Sequence, residues 1–470
     1  MAWRMGAPDG FVGSYLVIRP VQSSSAMTET RPATIQVAND NPPSGVARFF
    51  KSASVIEAYE MRAVVLSMTF FFLLFGSYSV IKPVRDAMGT VYGMENIQQL
   101  FTGTFIVSFL VAPLYSWTAS RVKLSTFLPW IYGVVALSIV GFYAAFEFGA
   151  ENDRWVAAAF YIWVSTFNML IISVFWTFMA DLFSRTQAKR LFGFVAAGGT
   201  IGGIVGPATA TLLVKTLGNE NLMLISAAGF ALTAMLVHML SVEKSRMIAA
   251  GVEAQRTTLD HKLAGNPLDG FKLLLKSRYL LLLAAFLLLM TWISTVVYIQ
   301  LGDLITKSFE SREARTQAYA TIDLIVNSAA VFIQLFGTGR IISRFGVTTG
   351  LLLNPIIMVI AFFAAILSPV LIVLASIQVT RRVAEYAVAK PTREMLFTVV
   401  DQESKYKAKN VIDTVVYRFG DVSSAWVSSF ILPFGVTGLA IFGAIVCLIW
   451  FPIAYTLGKR YEGAGGPTAH

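Results

Sequence analysis

Charged side chains crowd two places in an otherwise apolar chain. "SYSVIKPVRDAMG", Ser77 to Gly89, closes the first long hydrophobic run with Lys82, Arg85 and Asp86. "TRRVAEYAVAKPTREMLFTVVDQESKYKAKNVIDTVVYRFGDVSS", Thr380 to Ser424, is the densest charged stretch between apolar runs. A charge near hydrocarbon costs ~2.5–3.5 kcal/mol on insertion scales, so it marks a pathway, a pair or a ligand. On helical spacing Tyr78, Lys82 and Arg85 fall on one face, with Asp86 beside them. Arg382, Tyr386, Lys390 and Arg393 follow one stripe, and Arg381 and Glu385 stand four apart next to it. Asp413, Tyr417, Asp421, Ser424 and Ser428 share another face, where Arg418 reaches Asp421 at i+3. So many cations suit an anionic solute, and the tyrosines offer faces for a ring. The competing readings are a structural ion-pair network and, for the tyrosines, core packing or an interfacial belt.

Asp323, Asn327 and Gln334 give a further apolar run one polar face, the pattern of a cavity-lining helix. Asp323 and Glu385 are therefore the candidates for carrying a coupled proton. Other chemistry is excluded. There is no Gly-x4-Gly-Lys-Ser/Thr loop for ATP hydrolysis and no nucleophile–base set. Three histidines and one cysteine, Cys447, give no metal-ligand spacing and no disulfide. The expectation is no enzyme, no cofactor and no metal.

The elements that must position these residues follow from composition. The 470-residue chain is 56% hydrophobic and 14% charged, with mean hydropathy +0.66, against ~25% charged in soluble domains. Its solvent is a lipid bilayer. Runs long enough to span, about 20 residues each, lie near 62–82, 99–120, 124–146, 155–182, 192–216, 219–240, 278–301, 315–338, 347–367, 370–390, 408–431 and 435–458. The expected fold is an all-α membrane protein of twelve transmembrane helices in two six-helix halves. Residues 1–55 read as a disordered cytoplasmic tail, 56–240 as the N-terminal half and 241–277 as a cytoplasmic linker; 278–458 form the C-terminal half and 459–470 a tail. A start at Met5 or Met27 would cost no fold.

Loop charge sets the orientation. The loops at 121–123, 183–191, 241–278, 339–346 and 391–409 are rich in Lys and Arg, so they and both termini face the cytoplasm. Basic cytoplasmic loops are the plainer cause of the net charge of +10, and nucleic acid is not an expected partner. Lys82 and Arg85 are the exception, basic at the outward end of their span.

Two glycine patterns look like gating or packing devices. "GRIISRFG" places Gly339, Arg344 and Gly346 in the spacing of the major facilitator loop signature, with Ser343 for its acid. Its glycines allow a tight turn and its arginine suits carbonyls at a helix end. "GFVAAGGTIGGIVGPATA" sets Gly202, Gly206 and Pro207 on a small-residue face that lets helices approach closely.

"KPTREMLFTVVDQESKYKAKNVIDTVVYRFG" resembles the nucleotide transporter family of ATP/ADP antiporters. It keeps Pro391, Arg393 for a lysine, Glu394, Met395, Asp401, Lys405, Lys407, Lys409, Ile412 and Asp413 in register. "FWTFMADLF", "RFGVTTGLLLNP" and the Arg85-Asp86 pair resemble family segments too. The resemblance implies exchange of nucleotides such as ATP and ADP by a carrier, expected as a monomer in a bacterial inner membrane, with Arg85 and Lys409 meeting the substrate. Two acidic positions of family exchangers, in spans four and seven, carry no acid in "YIWVSTFNML" or in "TVVYIQLGD" before Asp303. A proton-coupled exporter of a drug or siderophore-like compound, and a non-transporting membrane sensor or subunit, are the alternatives.

Overall fold

Apolar runs closed by short polar turns fold into fourteen α-helices among the described residues. The computed structural model describes residues 56–464 except 58, 120, 123, 151–152 and 250–268. The expected disordered tail 1–55 and the middle of the expected linker lie outside the described residues. The first set of helices is α1 (Met61–Tyr92), α2 (Ile97–Ala119), α3 (Leu124–Ala145), α4 (Arg154–Leu182) and α5 (Arg185–Ala249). The second is α6 (Asp269–Lys276), α7 (Arg278–Ser308), α8 (Arg312–Phe336), α9 (Thr338–Leu367), α10 (Leu371–Ala384), α11 (Lys390–Met395), α12 (Gln402–Val411), α13 (Tyr417–Ile431) and α14 (Gly435–Gly463).

Eight stretches among the described residues are long and apolar enough to cross a membrane. Two of them, Arg190–Met247 with 58 residues and Lys407–Gly463 with 57, are twice the length one crossing needs. Each reverses at one glycine in the left-handed region, Gly218 at φ 81° and Gly435 at φ 76°, where a side chain would be strained. Counting each as two crossings makes ten; the expected twelve needs α2 and the α10–α11 rod as well, neither of which is among the eight. Side-chain caps fix other starts: Asp153 accepts from the Trp155 and Val156 amides, and Ser277 and Ser311 cap α7 and α8. Large apolar side chains such as Leu212, Leu137 and Phe430 stand more than 70% exposed, as a surface in contact with lipid requires.

Within the first set α1 packs along α5 and α4; within the second, α9 lies on α14, and α7 on α13 and α14. The sets meet where α8 packs on α5 and α1, and where α13 packs on α2. The α1–α5 seam is the tightest. A Cβ on Gly202 would come within 2.5 Å of the Phe72 carbonyl oxygen, and one on Gly206 within 2.6 Å of the Gly76 oxygen. The small-residue face therefore serves close backbone approach, with Pro207 buried in the same limb.

Several boundaries differ from the hydropathy reading. α1 does not end at Lys82 but continues ten residues to Tyr92 and stops at Gly93, φ 109°. Hydropathy falls at the charges, but the helix persists because other helices partner them. α5 runs to Ala249 and α6 is helical, so much of 241–277 is helix among the described residues, and α14 extends into the expected tail to Gly463. In "GRIISRFG" only Gly346 makes the turn, at φ 78°. Gly339 sits in a helix with nothing close to it, so it has no turn role. Arg344 lies 5.7 Å from the centre of the Phe345 ring, inside the ~6 Å reach of such stacking, rather than on a helix-end carbonyl.

Candidate functional site: a charged cavity at mid-membrane

The longer α1 moves Lys82 and Arg85 away from a helix end. Lys82 stands level with Asp323, midway along α8, and with Arg382 in the middle of the α10–α11 rod, because all three are bonded together. The Lys82 Nζ donates to Asp323 Oδ2 at 2.6 Å and to Asp86 Oδ2 at 3.2 Å. The Arg382 guanidinium pairs with the other oxygen, Asp323 Oδ1. Lys82 is thus no headgroup anchor, and its position breaks no loop-charge rule.

Arg85 extends the same network. Its guanidinium donates to Asp86 Oδ1 at 2.5 Å and 3.1 Å and to Ser165 Oγ at 3.1 Å, and stacks 5.0 Å from the centre of the Tyr161 ring. Tyr298 OH donates to Asp86 Oδ1 at 3.1 Å and lies 3.3 Å from Tyr161 OH. Pro83 between these residues removes one backbone donor from the turn, and α1 stays helical through it.

These groups line one cavity of about 640 Å³, within the ~300–1,000 Å³ of small-molecule sites. Seven basic and six acidic side chains face it. Of the residues singled out by sequence, Tyr78, Lys82, Arg85, Asp86, Asp323, Arg381, Arg382, Glu385, Tyr386, Lys390, Arg393 and Asp413 all line it. Most cations are matched. Arg381 pairs with Glu385 at 2.7 Å, Arg418 with Asp421 at 3.5 Å, and Arg393 lies 3.6 Å from Glu394 and 3.7 Å from Asp413. Lys390 is exposed and carries no ion pair among the described residues.

Two helix irregularities aim these side chains. The α10–α11 rod widens to a π turn at Glu385–Ala389, and α12 joins α13 through another at Ile412–Val416. A π turn inserts one residue and rotates the helix beyond it. Lys390, Arg393 and Asp413, beyond or within these turns, share the cavity with Arg381 and Glu385. Lys409 is placed differently from expectation: it pairs with Glu394 and lies over the Phe397 ring, beside the cavity mouth rather than in its lining.

Sequence reasoning missed Tyr161, Ser165, Asn168, Thr295, Tyr298 and Tyr319, which are among the other residues of the lining. Tyr161, Ser165 and Asn168 come from "YIWVSTFNML", and Thr295 and Tyr298 from the segment ending "TVVYIQLGD". A lone hydroxyl or ring in an apolar helix gives no periodic signal, since either can pack in a core. Asp303, by contrast, pairs with Lys307 at 2.7 Å outside the cavity.

The cavity reaches the basic-loop end of the molecule through Lys390, Arg393, Glu394 and Asp413. Ties between the two helix sets gather from mid-membrane toward the other face. Arg312 pairs with Glu220 at 3.1 Å, Asn219 donates to Glu313 at 3.2 Å, and Arg315 donates to Thr90 at 3.0 Å. Gln317 donates to the Thr211 carbonyl and Trp426 to Thr102.

Two sets of long apolar helices enclose one charged cavity and are tied together on the face away from its opening, an arrangement shared with solved membrane transporters. Solved structures agree on the fold. A bacterial homologue of the iron transporter ferroportin in an inward-facing state superposes with a TM-score of 0.62 at 11% identity, covering 85% of this chain and 99% of that one. A bacterial homolog of the human lysosomal transporter Spinster, inward-facing and unoccupied, gives 0.55 at 13% identity over 87% and 99%. The TLC ATP/ADP transporter family profile matches residues 148–461, and the chain belongs to that family. Curated relatives include ADP,ATP carrier protein 1 of Chlamydia muridarum (strain MoPn / Nigg), 21% identical over 89% of this chain and 86% of that protein. ADP,ATP carrier protein 4 of Rickettsia felis (strain ATCC VR-1525 / URRWXCal2) is 23% identical over 92% and 99%.

Proposed function

We propose that this chain exchanges nucleotide di- and triphosphates across a bacterial inner membrane by alternating access. It acts as a monomeric carrier rather than an enzyme. The observation that carries the reading is the row of cations through one cavity, from Arg85 and Lys82 at mid-membrane past Arg382 to Arg393 and Lys390. A polyphosphate needs several charge-assisted donors along its length, and guanidinium forks meet phosphate oxygens two at a time. Tyrosines 78, 161, 298 and 386 in the same lining supply ring faces for a base. The relatives' names, ADP,ATP carrier protein, support the same cargo.

Positive loops face the cytoplasm, so the face at which the cavity opens is cytoplasmic and this conformation is inward-open. The two helix sets are the halves that rock about the site, with the residues between Ala249 and Asp269 linking them. Uptake of labelled ATP into proteoliposomes preloaded with ADP, compared with empty ones, tests exchange. Preloading is expected to stimulate uptake at least about tenfold. No stimulation by any nucleotide sinks the cargo assignment, and flux that collapses with the proton gradient favours a proton-coupled carrier instead.

A further inference from the structure

The deepest ionic contact between the two helix sets joins Lys82 of α1 to Asp323 of α8, residues 241 positions apart in sequence. Asp323 is 3% exposed, and both its oxygens are taken, Oδ2 by Lys82 and Oδ1 by Arg382. We propose that Asp323 is the resident counter-anion of the empty carrier. It holds the place of a substrate phosphate on Lys82, ties the halves together at mid-membrane, and yields Lys82 when an anionic substrate arrives. The displacement step rests on the anionic cargo proposed above; the tie itself does not.

The partner exchange leaves no buried charge alone. Asp323 keeps Arg382, which belongs to its own half and is further held by Tyr386, at 3.5 Å through the hydroxyl and 5.5 Å from the ring centre. Lys82 keeps Asp86 in its own half, four residues along the same helix, and Asp86 also keeps Arg85. Only the contact between halves is replaced, by phosphate oxygen on Lys82. Other links at this level, Tyr298 to Asp86 and Asn327 to the Gly203 carbonyl at 2.5 Å, involve a neutral donor. Parting two opposite charges in a site of low dielectric is costlier than parting a neutral hydrogen bond. Asp323 is therefore a positioning residue that makes reorientation conditional on loading, which is the physical requirement for strict exchange.

The tie is tested by the separation of the halves without any substrate. Spin labels at Thr186 and Thr398, both exposed near the basic-loop face and outside the cavity lining, are to be read in the nucleotide-free carrier. The unsubstituted carrier is expected to give one narrow distance population. Asp323→Asn and, from the other side, Lys82→Gln are expected to add a second, shorter population without substrate. Asp323→Glu, which keeps a carboxylate facing both Lys82 and Arg382, is expected to keep the narrow population, so that the second population of Asp323→Asn follows the lost charge and not a general structural defect. In transport, Asp323→Asn is expected to lower stimulation by preloaded ADP about tenfold, through faster uptake into empty vesicles. An unchanged distance distribution in both single variants overturns the proposal, as does stimulation that Asp323→Asn leaves intact. An unsubstituted carrier inert toward every nucleotide would fail the cargo assignment and leave the distance result standing by itself.

Discussion

At the residue scale, Arg85 brings together a carboxylate, a serine hydroxyl and an aromatic face. Lysine reproduces the charge but neither the fork nor the stack. Arg85→Ala is expected to reduce nucleotide exchange at least about a hundredfold, the loss of one charged contact worth ~3 kcal/mol, with helical circular dichroism unchanged. Arg85→Lys should recover only part of the rate. Transport at the normal level by Arg85→Ala would remove it from the site. Asp86 is a different case, because Lys82, Arg85 and Tyr298 all depend on it; removing one partner of such a buried set costs ~3–5 kcal/mol. Asp86→Ala is therefore expected to lower thermal stability in detergent as well as transport, whereas Arg85→Ala lowers transport chiefly.

At the element scale, the α1–α5 seam decides whether the charged part of α1 is held in place. Without a hydrophobic driving force between helices in lipid, association relies on close packing, and here the glycines of α5 admit the α1 backbone. Gly206→Leu forces a side chain into space occupied by Gly76 and Ser79. Overpacking of this kind costs ~1–3 kcal/mol, so the melting temperature of the purified carrier is expected to fall by several degrees. Leu212→Ala, on the lipid-facing side of the same limb and 74% exposed, is expected to leave it unchanged. Equal melting temperatures for the two variants would show that the seam is not tight.

At the scale of the whole molecule, two layers hold the carrier closed on the face away from the basic loops. One is the Lys82–Asp323 tie; the other is the rim of Arg312–Glu220 and Asn219–Glu313 contacts. The rim contacts are largely buried, with Arg312 and Glu220 14% and 15% exposed and Asn219 buried, and each is worth about 1 kcal/mol. Glu220→Gln with Glu313→Gln is therefore expected to shift the conformational equilibrium by up to about fivefold, shortening the Thr186–Thr398 label distance. Raising ionic strength should shift the distance far less than the double substitution does, since largely buried pairs are weakly screened by salt. A distance insensitive to the double substitution would place closure elsewhere.

Much of this organisation is legible in the sequence. Apolar length and loop charge locate most crossings, because lipid demands an internally hydrogen-bonded helix of a set length, although α1 runs ten residues past its hydropathy end. Charge in apolar surroundings draws attention to Lys82, Arg85, Asp323 and the Arg381–Arg393 stripe, because desolvation forbids idle charge there. Hydropathy stops α1 at Lys82 for the same reason, since a local window cannot see that Asp323 lies beside it. The pairing of Lys82 with Asp323, the inclusion of Tyr161, Tyr298 and Tyr319, and the displacement of Lys409 from the lining are decided by the tertiary structure alone. Sequence periodicity reports which face of a helix a residue occupies; only the packing of helices hundreds of residues apart fixes which charge meets which, and on which side the cavity opens.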